Sequence, residues 1–296
     1  MIVTLCSDKG SPGVTTLAVA LGMVWPVPRL VLEADPAGGD LAFRMRHTDG
    51  GGPLNPDPSA ATLAAAVRAG LAEKDLPGYA QPTTLGVPVI PGVLSPERGA
   101  PLRPLWPRVA GVAAAWPGTV FADIGRAQPG NPALPLARSA TCVLLLARAS
   151  LEGFYHLRDR VGELSQVVGD PQSQRSESAP RPSTPRSPLA VVVTGRPRQR
   201  KEALAQARYL LDAVGSPIPV VGFLPDDPAG VEALDRGEVT RRLLGTELVR
   251  AARSLAGTVL GRWPELTATA PEAAEPVAAQ HQPVVESTRD PEVAGT

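Results

Sequence analysis

Apolar residues along this chain gather in short unbroken runs, separated by longer stretches with helical spacing. The runs fall at 2–6, 29–34, 86–91, 119–123, 141–147, 189–194 and 218–224. Continuous rather than alternating apolar character marks a strand covered on both faces. Between the runs, the spacing predicts helices over 15–25, 60–71, 101–116, 151–168, 199–214, 228–236 and 246–262. Pro26 and Pro28 stop the first of them, and Pro104 and Pro107 disturb the first turn of 101–116. Strands alternating with helices predict an α/β fold, a three-layer α/β/α arrangement with a mostly parallel sheet of about seven strands.

Two stretches break the pattern. Residues 169–188 are rich in Pro, Ser, Gln and Arg and read as a disordered insertion in a surface loop. From 264 to 296 the chain is rich in Pro, Ala and Glu and reads as a disordered acidic tail. What remains, 1–263, fits one domain without an internal repeat.

Composition narrows the function classes. The 29 Lys and Arg balance the 29 Asp and Glu, so bulk charge does not drive binding to a polyanion. The run Arg196-Pro197-Arg198-Gln199-Arg200-Lys201 is locally basic but has no interleaved aromatic residue. It gives DNA binding only weak support and reads more simply as a solvated helix start. Cys6 and Cys142 lie in apolar runs and read as buried thiols of a reducing compartment. No run approaches the roughly 18 apolar residues of a membrane span, and Lys9 with the glycine loop interrupts the N-terminal run before it resembles a leader. A cytoplasmic location is the expectation. His47, His156 and His281 are scattered and suggest no metal cluster.

The candidate chemistry sits at the ends of the expected strands. After the first comes Cys6-Ser7-Asp8-Lys9-Gly10-Ser11-Pro12-Gly13-Val14-Thr15-Thr16, followed by a helix. Strand, glycine loop and helix form the context in which loop N–H groups and a helix N-terminus hold phosphate. The common phosphate loop ends in Gly-Lys-Ser/Thr. Here Gly13 and Thr15 hold their places, but Val14 stands where the lysine belongs. The second strand ends in Glu33-Ala34-Asp35-Pro36-Ala37-Gly38-Gly39-Asp40, and the 119–123 strand in Asp123-Ile124-Gly125-Arg126. In an open parallel sheet, ligands bind outside the carboxyl ends of the strands, so the three motifs should converge. Simpler readings stay open: Asp35 as a turn residue before proline, Asp123 as a helix N-cap, Arg126 as a solvated loop arginine.

At these residues the chain resembles the ParA/MinD family of deviant P-loop ATPases. The family loop K-G-G-x-G-K-[ST]-[ST] is matched by Lys9-Gly10-Ser11-Pro12-Gly13-Val14-Thr15-Thr16, and D-x-D-P-x-G by Glu33 to Gly38. The Asp-x-Gly element is Asp123-Ile124-Gly125, and Gly222 to Leu234 looks like the family's segment beside the adenine. The resemblance covers about residues 1–262. It implies ATP and Mg²⁺ as cofactors and a nucleotide-dependent homodimer that positions or partitions a chromosome, plasmid or protein-complex cargo through an unidentified partner. Lys9 would reach across the dimer to the partner's phosphates. Gly10, Ser11, Gly13, Val14, Thr15 and Thr16 would form the cradle, with Thr15 and Asp123 at the metal. Asp35 would position water, Gly125 would follow the metal carboxylate, and Pro225 would border the base.

The departures weigh against ordinary catalysis. Val14 removes a charge from the β/γ-phosphates, Pro12 removes a backbone N–H, and Ser11 replaces a flexible glycine. Thr194-Gly195-Arg196 stands where the family's adenine-reading Asn-Arg would be. The expectation is a nucleotide-binding protein with slow or lost hydrolysis. The alternative is a pseudo-ATPase scaffold that binds no nucleotide. The acidic stretch after 264 does not resemble the family's basic membrane helix, so membrane binding by that route is not expected.

Overall fold

The computed structural model describes residues 1–168 and 188–267. The first half of the sheet is built from β1 (Ile2–Ser7), α1 (Val14–Val24), β2 (Arg29–Glu33), α2 (Leu41–Arg44), α3 (Ala60–Arg68) and β3 (Val89–Ile90). Next come α4 (Pro96–Gly99), α5 (Trp106–Ala115), β4 (Thr119–Arg126), α6 (Leu134–Arg138), β5 (Cys142–Arg148) and α7 (Leu151–Val168). The remainder is β6 (Leu189–Gly195), α8 (Arg200–Ala213), β7 (Val220–Pro225), α9 (Pro228–Asp235), α10 (Arg241–Leu244) and α11 (Glu247–Arg262).

The seven strands are all parallel, in the order β3-β2-β4-β1-β5-β6-β7. Strand side chains alternate between two apolar layers, as the pleat requires. In β1, Ile2 and Cys6 face the layer shared with α3 and α5 to α8, while Val3 and Leu5 face α1 and α9 to α11. Both faces are therefore covered, which is why the strands read as continuous apolar runs.

The topology fixes where a ligand site can lie. From β1 the chain winds to one side through β2 and β3, returns to β4, then crosses to β5 and the other side. The carboxyl end of β1 lies at this reversal, where crossovers diverge and leave a crevice. Register then brings the strand ends level. Glu33 of β2 pairs with Asp123 of β4, and Ser7 of β1 pairs with Arg126.

The structure shifts several expected boundaries. The helix expected over 101–116 is a 3-10 turn, Ala100–Leu105, followed by α5. Pro104 has no N–H to donate and breaks the ladder there. The strand expected over 86–91 shortens to β3, with Gly86 at φ +70° and Pro88 and Pro91 on either side. The folded body also passes 263: Pro264–Thr267 forms a 3-10 turn whose Leu266 is fully buried, so the tail does not begin at 264. The rest of that tail, and the expected insertion apart from Pro188, lie outside the described residues. The Pro188 carbonyl accepts from Val143 N–H at 2.7 Å and so belongs to the sheet. Among the described residues no helix is long and apolar enough to cross a membrane.

Candidate functional site

The loop after β1 enters α1 through two glycines in the left-handed region, Gly10 at φ +77° and Gly13 at φ +95°. An L side chain rarely adopts either conformation, so glycine is required for this path. Leu17 N–H donates to Gly13 O at 2.9 Å. The N–H groups before it belong to the unpaired first turn, which carries the positive end of the helix dipole. Gly10, Ser11, Gly13, Val14, Thr15 and Thr16 all line one cleft of about 610 Å³.

Carboxylates from β2 and β4 close the opposite wall. Thr15 Oγ1 donates to Asp123 Oδ2 at 2.5 Å, and Gly125 N–H donates to Asp123 Oδ1 at 2.9 Å. Asp123 lies within β4 and is buried, so it is not a helix cap. Burial pushes its carboxyl up to about 6, opposed by the Thr15 hydroxyl and the Gly125 N–H. The charge of Asp35 adds to the rise, and that of Arg44 opposes it. Asp35 is half-buried, lines the cleft and accepts from Ala37 N–H at 2.8 Å. That bond is the turn expected before proline, so the turn reading and the cleft position coexist. Gly125 sits at φ +64°, where an added Cβ would collide with the Asp35 carboxylate.

Glu33 does something the sequence motif did not reveal. Its Oε1 accepts from Asp40 N–H at 2.8 Å and Leu41 N–H at 3.0 Å, and its Oε2 accepts from Gly92 N–H at 2.8 Å. The side chain thus pins the loop before α2 to the segment after β3. Burial, the largest influence, pushes this carboxyl up to about 7.

Two expected site residues lie outside the cleft. Lys9 is exposed, its Nζ 3.4 Å from His156 Nε2 of α7. It borders a separate hollow of about 260 Å³, where Asp8 also pairs with Arg160 at 2.7 Å. Pro225 lines another hollow, of about 660 Å³, with Thr194, Arg148 and Leu224. Ser11, Gly13 and Thr16 border both this hollow and the first cleft, so the two are neighbours across the loop. Arg126 is exposed and also lines the cleft.

Arg44 escaped the sequence reading. It ends α2, lines the cleft, and pairs with Asp235 of α9 at 2.9 Å. A four-residue helix is too short to show periodicity, and no motif marks it.

Could these residues hold Mg²⁺ and a nucleotide? Mg²⁺ takes oxygen ligands and is usually held by one or two protein groups together with substrate phosphates. Adjacent hydroxyl and carboxylate oxygens of Thr15 and Asp123 fit that donor set. Among the described residues no group of three or more His, Cys, Asp or Glu could hold a metal by itself. The loop fits a phosphate chain in its backbone, but not in its charge. Val14 is only 7% exposed and packs into the layer of α1 and α11.

No protein-family model matches the chain, and no curated protein does. Solved structures do. The Pyrococcus furiosus cell division ATPase MinD superposes with a TM-score of 0.63 at 16% identity, covering 88% of this chain and 98% of that one. A ParA family ATPase from Chlorobium tepidum gives 0.62 at 16% identity, covering 86% and 98%. The septum site-determining protein MinD of Pyrococcus horikoshii, complexed with Mg-ADP, gives 0.59 at 16% identity, covering 88% and 96%. These three neighbours are ParA and MinD proteins, and the chain has their α/β fold, a parallel sheet of seven strands with flanking helices.

Proposed function

We propose that this chain is a ParA/MinD-like nucleotide-binding protein that dimerises around ATP and Mg²⁺ and positions or partitions a cellular cargo, with slow or lost hydrolysis. One observation carries the reading: Thr15 and Asp123, from elements 108 residues apart in sequence, meet at 2.5 Å beside a loop bent by Gly10 and Gly13. A loop kept only as a turn has no need of that pair. Mg-ADP in the P. horikoshii MinD, which has the same fold, is consistent with it.

In this reading the loop N–H groups would take the phosphate oxygens, and Thr15 and Asp123 would hold Mg²⁺. Bound there, the ion would neutralise phosphate charge. Asp35, on the same cleft, would orient a water, and the hollow at Pro225 would receive the base. The burial that lifts Asp123 toward neutrality would be offset by the cation, so metal and carboxylate favour each other.

Val14 favours a second reading, a scaffold that no longer binds nucleotide. Losing one charge-assisted phosphate contact costs on the order of 1.5–3 kcal/mol, roughly ten- to a hundredfold in affinity. That weakens binding without abolishing it, so the nucleotide reading stands ahead. Calorimetric titration of the full chain with ATP and Mg²⁺ decides between them. Saturable binding below millimolar ATP is expected; none up to millimolar would leave the scaffold reading.

A further inference from the structure

Val14 leaves the cleft without the cation that a lysine on α1 would supply, yet two arginines line that cleft, the exposed Arg126 and Arg44, and Arg44 is the one that neighbouring side chains hold in place. Arg44 lines it with Gly13, Thr15, Thr16 and Asp123. Its Nη2 donates to Thr16 Oγ1 at 3.3 Å. The same guanidinium is clamped by α9: Nε and Nη2 both donate to Asp235 Oδ1, at 3.1 and 2.9 Å. A guanidinium carries five N–H donors on three nitrogens, so donors remain for an anion. The side chain is 23% exposed, open enough to meet a ligand and fixed enough to be aimed.

Its place in the fold says which part of a ligand it would meet. Thr16 borders both the cleft and the hollow at Pro225, and Asp235 lines that hollow. Arg44 therefore stands where the two cavities join. A nucleotide with its phosphate chain in the cleft and its base in the hollow passes beside this guanidinium at the inner end of its phosphate chain. Two supports hold Arg44 there. Asp235 fixes its tip, and Glu33, through Asp40 and Leu41 N–H, fixes the start of its helix.

We propose that Arg44 replaces the missing lysine as the phosphate-binding cation, gripping the inner phosphates of a nucleoside polyphosphate bound to the loop Gly10–Thr16. The proposal rests on the nucleotide-binding reading above and names the residue that makes it workable without a lysine at position 14. Because the grip is on inner phosphates, it is felt by nucleoside diphosphates and triphosphates alike. A planar fork matters as well as charge, since Lys cannot both pair with Asp235 and present donors to phosphate in the same way.

The test is titration of the full chain with Mg-ATP and Mg-ADP, comparing the unaltered protein with Arg44→Ala, Arg44→Lys and Val14→Lys/Arg44→Ala. Arg44→Ala should weaken both nucleotides by similar factors, roughly ten- to a hundredfold. Arg44→Lys should recover only part of the loss, and the double variant should regain affinity through the restored lysine. Thermal unfolding without nucleotide separates lost binding from lost folding. Equal affinity of Arg44→Ala and unaltered protein overturns the proposal while leaving nucleotide binding intact. A loss confined to ATP also overturns it, because the contact would then be with the terminal phosphate. So does a loss of binding accompanied by a lower melting temperature and no recovery in the double variant. No ATP binding by the unaltered protein overturns this proposal and the reading it rests on together.

Discussion

Glu33 is a carboxylic acid almost without water, ringed by three backbone N–H donors. Burial wins over the donors and pushes its carboxyl from an ordinary 4.5 up to about 7. Between those two values the folded chain holds a proton that the unfolded chain has released. Stability from this group is therefore fully present below the unfolded value and is lost as pH rises through the folded one. Asp123 adds in the same direction, from an ordinary 3.8 up to about 6. Nucleotide-free protein should melt at a higher temperature near pH 5 than near pH 8, with Glu33 contributing on the order of 3 kcal/mol to the difference. Glu33→Gln cannot titrate, so its melting temperature should lie lower at acid pH but fall less on the way to pH 8. A variant whose pH dependence is as steep as that of the unaltered protein would assign the effect elsewhere. At this scale the sequence was legible only in part. Thr15, Asp35 and Asp123 announce themselves by motif. Glu33 passed as a conservative exchange, because only tertiary contacts reveal that its carboxylate bonds to backbone. Arg44 gave no local signal, since its significance comes from Asp235, which follows 191 residues later.

Elements were more legible than the residues between them, for a physical reason. Buried parallel strands must be apolar on both faces, so each leaves an unbroken run, and α7 came out at its expected bounds. Short elements such as α2, α4, α6 and α10 leave no period to read. They form because long loops must satisfy their backbone groups near the sheet. The turn after Asp123 shows how tightly such connections are built. Gly125 has φ +64°, and a methyl group there would strike the Asp35 carboxylate. Gly125→Ala should lower unfolding free energy by about 1–3 kcal/mol in a denaturant titration and push Asp35 from its place. Gly111, inside α5, has open space where a Cβ would go. Gly111→Ala should stabilise by about 0.5–1 kcal/mol through helix propensity alone. Equal effects at the two positions would show that the Asp35 contact contributes nothing.

On the scale of the whole molecule, the loop faces two ways. Its glycines and threonines border a cleft of their own chain, while Lys9 stands on the outside against His156, in a hollow lined by both acids and cations: Asp8, itself paired with Arg160, Glu152 and Arg148. The motif at 9–16 read from sequence as one unit, and in three dimensions it divides between two surfaces. As the loop stands, an exposed ammonium outside its own phosphate cleft is better placed for phosphate on another copy of the chain than for phosphate in its own. The local acids and His156 would then be its resting partners, released when a second copy presents a stronger anion. On this view Arg44 supplies the charge within the chain and Lys9 the charge between chains, so nucleotide binding and dimerisation are separable. Light scattering on a sizing column, with and without ATP and Mg²⁺, measures the second directly. Lys9→Ala should bind nucleotide within a few-fold of the unaltered protein and yet remain monomeric under conditions in which the proposed function expects the unaltered protein to dimerise. If Lys9→Ala instead loses nucleotide affinity as a monomer, the lysine acts within its own cleft and the loop swings inward on binding. If it dimerises normally with ATP, Lys9 is a solvated surface residue and the dimer is held by other contacts.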